Sequence, residues 1–461
     1  MSKDNNLHDF LTDIADAVRE KKGTTEPINA QNLSEEIRSI QSGEKPSVEE
    51  KDVNFYDYDG TLLFSYTIPE AQALTELPTP KGHSGLIFDG WNWDYEDVIA
   101  LDYPMNIGAM YRTDDGATRL YLVVEEPTEI NFTLEGGGTK TIDFGDGTIA
   151  ETSEKTPVIP HRYENGRYVL TIKASSSYKL AANANCNIFG HRRNSSVKLL
   201  RKVEIGDLAS IANYAFAYCC NLETITQPST KDGIYAGNAF IYCTSLKWLN
   251  VRKGLTSFSL SYLASCTSLK SIVLPNGFLS LYQAVDSVYF ENLFLPDSYT
   301  YDINFANNLF RKFRIPKKVT KISSLNACRR LVEIEEPNTV VTRGVNAYYN
   351  CRALRRVVLS PSISVLTSGM CGYCGTLQKV FVRSNITSIE ANAFINCASI
   401  GELDFSSNTV VPTLANVNAF SDTTCNFIVP DNLYDEWIVA TNWSTYADRI
   451  VKASEYQPNN E

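Results

Sequence analysis

One frame recurs down the second half of this sequence: an apolar residue, two residues, a cysteine, two residues, an aliphatic. It reads Phe216/Cys219/Leu222, Phe240/Cys243/Leu246, Leu263/Cys266/Leu269, Leu325/Cys328/Leu331, Tyr348/Cys351/Leu354, Cys371/Cys374/Leu377 and Phe394/Cys397/Ile400. Three residues after each aliphatic stands another apolar one, and a proline often follows, as in Leu274-Pro275. The proline and apolar frame extends the series to Ser287 and Asn307 in the cysteine position, so the slots run from 219 to 397 in steps of 20 to 24. Leu200-Arg201-Lys202-Val203-Glu204-Ile205 fits the strand part of the frame and places an earlier copy around Val197. A repeat of this length carries one short strand and a turn or short helix, and it buries its apolar face only by stacking on its neighbours. The chain must therefore build a solenoid.

The same register explains the cysteines. Seven of the eleven occupy one slot, where Ser and Asn replace them in degenerate copies. Equivalent slots lie one above another in a stack, so nothing pairs them into disulfides, and the reading is reduced, buried thiols. Cys371-x-x-Cys374 has the spacing of a redox or zinc motif, but Cys374 is the repeat slot and Cys371 fills the aromatic position before it. No second such pair and no neighbouring histidine completes a site, so neither metal nor cofactor is expected.

Composition narrows function further. There are four histidines, none after His191, which removes most histidine-based catalysis from the repeats. A pair such as Glu402/Asp404 on a strand face reads as solvated carboxylates, so no catalytic residue is assigned and the chain is not read as an enzyme. A net charge of -11 argues against nucleic acid held through phosphates. No apolar run approaches the roughly 18 residues of a spanning helix, so no membrane insertion is expected. Met1-Ser2-Lys3-Asp4-Asn5-Asn6 leads into a polar amphipathic stretch without an apolar segment, and no signal peptide is read.

Period two along each repeat strand sends alternate side chains outward. The outward pairs are Thr224/Thr226, Trp248/Asn250, Ser271/Val273, Asn292/Phe294, Lys312/Arg314, Glu333/Glu335, Arg356/Val358, Lys379/Phe381 and Glu402/Asp404. Aromatics beside Arg and Lys suit a contact surface for protein or glycan. The candidate binding surface is accordingly Trp248, Phe294, Lys312, Arg314, Arg356, Lys379 and Phe381. Between Arg311 and Arg330 lie eight basic residues and no acidic one, a cluster that suits either an anionic surface polymer or a simply solvated ridge.

The repeats resemble the BspA-like leucine-rich repeats, over about residues 190 to 430. That resemblance implies a solenoid used for recognition and adhesion rather than catalysis. Upstream, Leu7, Leu11, Ile14 and Val18 follow heptad spacing with Phe10 alongside, an anchoring helix that Gly23 ends. A second short helix begins at Asn32. The stretch Phe10 to Ala30 resembles the leader of bacteriophage tail and virion proteins, which implies attachment to a particle. Val53 to Leu63 reads as strand, Asp-Gly turn, strand, and the module ends near Gly90-Trp91-Asn92-Trp93. Asp143-Phe144-Gly145-Asp146-Gly147-Thr148, followed by His161-Arg162-Tyr163 and Gly166-Arg167-Tyr168, is similar to PKD domains, which implies an immunoglobulin-like sandwich serving as spacer or binder.

The expected organisation is multidomain. A helical anchoring and oligomerisation hairpin spans 1–42, a small β module 43–117 and a PKD-like sandwich 118–175. BspA-like repeats of α/β type, with short strands, span 176–430, and a helical C-terminal cap spans 431–461. The leading functional expectation is a bacteriophage tail-fibre, baseplate or other virion protein that recognises a host-surface protein or glycan through its repeats. Its N-terminal segment would bind other virion proteins, its location would be the virion, and it would be a homo-oligomer, with a trimer expected by analogy to fibres. The alternatives are a bacterial cell-surface leucine-rich-repeat adhesin and a purely architectural virion protein.

Overall fold

The computed structural model describes residues 48–181, 187–190, 195–229, 237–282 and 290–457. The chain divides into two compact units, Met1–Glu50 and Lys51–Glu461, and the β modules and the repeats belong to the second. The anchoring residues Leu7, Phe10, Leu11, Ile14 and Val18, and the degenerate slot at Ser287, lie outside the described residues.

A four-stranded sheet comes first. Strands β1 (Val53–Tyr56) and β2 (Leu62–Tyr66) form the expected hairpin. Its Asp57-Tyr58-Asp59-Gly60 turn closes by the Gly60 N–H donating to the Asp57 carbonyl, with Gly60 at φ 86°. Strand β4 (Met105–Thr113) pairs parallel with β1 and antiparallel with β3 (Leu86–Trp91), in the order β2-β1-β4-β3. Two short helices cross between strands: α1 (Ile68–Gln72), started by a Thr67/Glu70 capping box, and α2 (Tyr95–Ile99). Val53, Phe55, Trp91, Val98, Met105 and Ile107 make this module's own core.

Seven strands follow: β5 (Thr118–Val124), β6 (Thr128–Gly136), β7 (Lys140–Asp143), β8 (Ile149–Thr152), β9 (Val158–Tyr163), β10 (Gly166–Ala174) and β11 (Tyr178–Leu180). The Asp143 and Asp146 carboxylates accept the N–H groups of Gly145 (2.8 Å) and Thr148 (2.9 Å), so both shape the turn between β7 and β8. These strands do not form a bead before the solenoid. The first repeat strand, β12 (Leu200–Glu204), pairs antiparallel with β5, and β13 (Ala209–Ile211) pairs parallel with β11. Two sheets thus run unbroken from the module into the repeats, ordered β14-β12-β5-β10-β7-β8 and β13-β11-β6-β9, where β14 is Thr224–Thr226. A single apolar core extends with them from Leu120 to Ile450.

The repeats form a β-solenoid with little helix, a correction to the α/β expectation. Each coil carries one or two short parallel strands joined by tight turns, with 3-10 turns only at places such as Leu260–Leu263 and Val417–Phe420. The residue before the cysteine slot is left-handed in Tyr218, Tyr242, Ser265, Ala327, Asn350, Tyr373 and Asn396, with φ between 57° and 65°. Asn307 shares that conformation (φ 63°), so the slot in its coil is the next residue, Asn308. Asn308 is buried, and its Nδ2 donates to the Phe305 carbonyl at 3.1 Å. The frame also extends one coil further than sequence shows, to Thr423 after left-handed Asp422.

The described cysteines are free, and all but half-buried Cys220 are buried. The slot thiols form a ladder between coils. Cys243 donates to the Phe216 carbonyl (3.2 Å), Cys266 to Phe240 (3.1 Å) and Cys328 to Phe305 (3.2 Å). Cys351 donates to Leu325 (3.2 Å), Cys374 to Tyr348 (3.1 Å) and Cys397 to Cys371 (2.9 Å). Such a carbonyl already takes its own coil's slot N–H, as Phe216 does from Cys219, and the thiol fills the second lone pair. Burial raises the thiol of Cys266 to about 12 and that of Cys397 to about 12, so these sulfurs stay protonated and unreactive.

The expected helical C-terminus is also corrected. Among its described residues only Tyr434–Trp437 is α-helical; a 3-10 turn over Trp443–Arg449 leads into a strand, Ile450–Lys452, that adds to the sheet beside Asn426–Val429. Left-handed Asn442 (φ 66°) breaks the helix that the apolar spacing implied. The spacing serves packing instead, with Trp437 and Trp443 buried against Phe405 and Trp443 also against Phe420 and Phe427.

The ladder makes the slot sensitive to losing its donor. Cys351→Ala removes the sulfur and its hydrogen bond and is expected to destabilise by about 1–3 kcal/mol, read as a lower denaturant midpoint. Cys351→Ser, which keeps a donor, is expected to cost less. Equal costs would show that the hydrogen bond contributes nothing.

Candidate functional site

The line of repeat strands begun by β14 goes on with β15 (Trp248–Asn250) and, beyond Ser257–Ser259 (β16) on the other face, β17 (Ser271–Val273), which pairs parallel with β15. Isolated bridges carry the line on, Val273 to Phe294 and Lys312 to Glu333. Strands Glu333–Glu335, Arg356–Val358, Lys379–Phe381, Glu402–Asp404 and Asn426–Val429 complete it in parallel register. The central residue of each triplet points inward, as the period requires: Leu249, Ile272, Ile334, Val357, Val380 and Leu403 are all buried.

The outward face falls into two halves. Over the first, the β1–β4 module is seated on the sheet. The Trp248 ring lies 4.5 Å from that of Tyr56 and is 8% exposed. Asn250 donates to the carbonyls of Asp57 (3.2 Å) and Ala109 (3.0 Å). In return Asn92 donates to those of Val251 (2.9 Å) and Val273 (3.1 Å), and the Trp93 indole to that of Leu274 (2.8 Å). The fit depends on two glycines. A Cβ on Gly108 would come within 2.5 Å of Asn250, and one on Gly60 within 2.8 Å of Trp248.

Phe294 packs against the module's core. Arg314 stacks 3.9 Å from the centre of the Tyr103 ring and pairs with Asp297 at 2.5 Å. Lys317 reaches Asp102 at 2.5 Å; their hydrogen bond holds the Asp102 carboxyl below its usual range and raises Lys317. At the other flank Lys202 meets Glu204 at 2.9 Å and the Tyr58 hydroxyl at 3.2 Å. Trp248, Phe294 and Arg314 are therefore not on an open surface: the chain's own N-terminal module covers them. The basic run between Arg311 and Arg330 is partly neutralised as well, since Lys321 pairs with Asp302 and Arg330 with Glu291.

The second half is open and brings the remaining candidates together. Lys312, Glu333, Arg356, Lys379 and Glu402 stand opposite one another in register, one row across the sheet. Beside it Val358 stands opposite Phe381, which is 42% exposed. Arg356 leans over the Phe381 ring at 5.0 Å. Arg383 reaches back to Glu335 at 3.2 Å, and the Tyr456 hydroxyl donates to Glu402. Arg356 and Lys379 are thus directly opposite cations, each with a carboxylate opposite it on its other side, Glu333 and Glu402. Among the described residues no group of three or more His, Cys, Asp or Glu side chains is arranged to hold a metal, and no helix is long and apolar enough to cross a membrane.

Asn92, Trp93 and Asn250, which hold the module down, were not singled out from sequence. A signal was present. The outward pairs from Thr224 to Phe294 contain no charge, whereas those from Lys312 to Asp404 are rich in it. A sheet face that loses its charges over several consecutive strands is a covered face.

Asn250→Leu keeps the branched shape but removes the side-chain donor to the Asp57 and Ala109 carbonyls, at about 1–3 kcal/mol in all. Amide hydrogen exchange over Met105–Thr113 is expected to accelerate, with Arg356–Asp404 unchanged. An unaltered exchange pattern would mean that Asn250 does not hold the module.

Comparison with known proteins follows the repeat. The BspA type leucine-rich repeat region matches residues 179–296 and 298–426, in six copies. A comparison with curated proteins returned no match. Among solved structures, a leucine-rich repeat protein from Bacteroides ovatus is 17% identical with a TM-score of 0.39, over 63% of this chain and 89% of its own. A leucine rich cell surface protein from Faecalibacterium prausnitzii is 19% identical with a TM-score of 0.30, over 64% of this chain and 94% of its own. These likenesses are too distant to carry weight beside the repeat itself. With more than half of its residues in that repeat, the chain belongs to the BspA-type leucine-rich repeat family.

Proposed function

We propose that this protein is a non-enzymatic surface-recognition protein, an adhesin that engages a protein or glycan on another cell through the open half of its repeat sheet. The observation that carries the reading is exposed Phe381 beside the in-register row Lys312, Glu333, Arg356, Lys379 and Glu402. It sets an aromatic anchor among charged side chains on a rigid parallel sheet, and both features suit a contact surface. Residues 118–175 are read as a PKD-like module that starts the stack rather than spacing it from an anchor.

For the carrier, family membership favours display on a bacterial surface. The resemblance of Phe10 to Ala30 to virion-protein leaders favours a second reading, in which residues 1–42 attach a homo-oligomer, a trimer by analogy, to other proteins of a phage particle. Immunogold labelling separates the two: label on producing cells supports the adhesin, label on particles the virion protein.

Binding of the full chain to intact cells tests the recognition site. Arg356→Ala with Phe381→Ala is expected to weaken it at least tenfold, equal to about 1.4 kcal/mol, an ordinary hot-spot effect. Undiminished binding by this variant would remove the open half as the recognition surface.

A further inference from the structure

The seam between the seven-stranded module and the first coil creates a feature that neither has alone. Because β10, β5, β12 and β14 are neighbours in one sheet, side chains far apart in sequence share its outward face. Tyr121 and Val123 of β5, Arg167 and Val169 of β10, Arg201 of β12 and Glu223 beside β14 line a shallow concavity of about 400 Å³. It lies on the far side of Lys202 from the β1–β4 module, since Lys202 sits between the rings of Tyr58 (5.0 Å) and Tyr121 (5.1 Å).

Two properties define what it would hold. The floor is apolar, made of the Tyr121 ring and the methyl groups of Val123 and Val169, while the rim offers guanidinium donors and a carboxylate acceptor. That pairing of an apolar floor with a polar rim matches a sugar ring, with its C–H face and its ring of hydroxyls. The rim's charges are unequal. Arg201 is paired with Glu125 at 3.6 Å and Glu223 with Lys247 at 3.4 Å. Arg167 is exposed and makes no ion pair among the described residues, so the concavity keeps one uncompensated guanidinium on a chain of net charge -11. A guanidinium fork accepts a carboxylate in bidentate fashion.

We propose that this concavity is a second binding site, separate from the open half of the sheet, for a carboxylate-bearing sugar residue: Arg167 takes the carboxylate and Tyr121 supports the ring. The site depends on the shared sheet, since Arg167 and Arg201 come from opposite sides of the seam.

Saturation-transfer NMR and titration calorimetry on the full chain test it, with 3′-sialyllactose, a hyaluronan tetrasaccharide and trigalacturonate as probes and lactose as the neutral control. At least one carboxylated probe is expected to bind, lactose is not, and Arg167→Gln is expected to lower the affinity at least tenfold. The Arg356→Ala/Phe381→Ala chain is expected to bind the same sugar unchanged, which separates this site from the open half. The proposal is overturned if none of the three carboxylated probes binds or if lactose binds equally well. It is overturned too if Arg167→Gln binds as tightly as the unaltered chain, or if sugar binding is lost in the Arg356/Phe381 variant.

Discussion

A stack of parallel coils has an unsatisfied end. Every strand in it needs a neighbour for its N–H and C=O groups, and the first coil has none unless another element supplies one. Here the element is the seven-stranded module, and it serves both faces of the stack. Strand β5 pairs with β12, and β11 pairs with β13. Since the apolar core is continuous across the seam, the module and the solenoid cannot be separated without exposing Leu200, Val203 and their partners Leu120 and Leu122. At the other end, Ile450–Lys452 gives Asn426–Val429 its neighbour, and Trp437 and Trp443 pack against Phe405.

The second consequence concerns the sheet face. A module of four strands that arrives before the stack has a free path back over it, and the polar interface made by Asn92, Trp93 and Asn250 shows where it lands. Those hydrogen bonds run to backbone carbonyls from both sides, Asn92 and Trp93 donating to the sheet and Asn250 of the sheet donating to the module. Half of the outward sheet face is thereby occupied from within, and the face left open runs from Lys312 onward.

Much of this was legible in the sequence, for definite reasons. The repeat was readable because stacking forces the same chemistry into the same slot. The cysteine position was assigned to buried thiols, and the ladder of Sγ donors to carbonyls supplies the physical cause. The hairpin at Asp57–Gly60 and the turn at Asp143–Thr148 followed from glycines in left-handed positions. What failed was position in three dimensions. Period two correctly sent Trp248 outward, but nothing local to Trp248 says that Tyr56, far upstream, comes down on it. Asn307 was one residue out because the left-handed position tolerates Asn as readily as the slot does. The C-terminal helix was overcalled because spacings of three and four also suit side chains that pack on one end of a stack, with Asn442 as the break.

A covered first half of the sheet and an open second half differ in which aromatics the intact chain hides. Hydroxyl-radical footprinting reads this directly, residue by residue, and tryptophan is intrinsically more reactive than phenylalanine. Protection of Trp248 with oxidation of Phe381, Tyr242 and Tyr373 is the predicted result, following their exposure. Rapid oxidation of Trp248 in the folded chain would contradict it, and would return the first half of the sheet to the open surface.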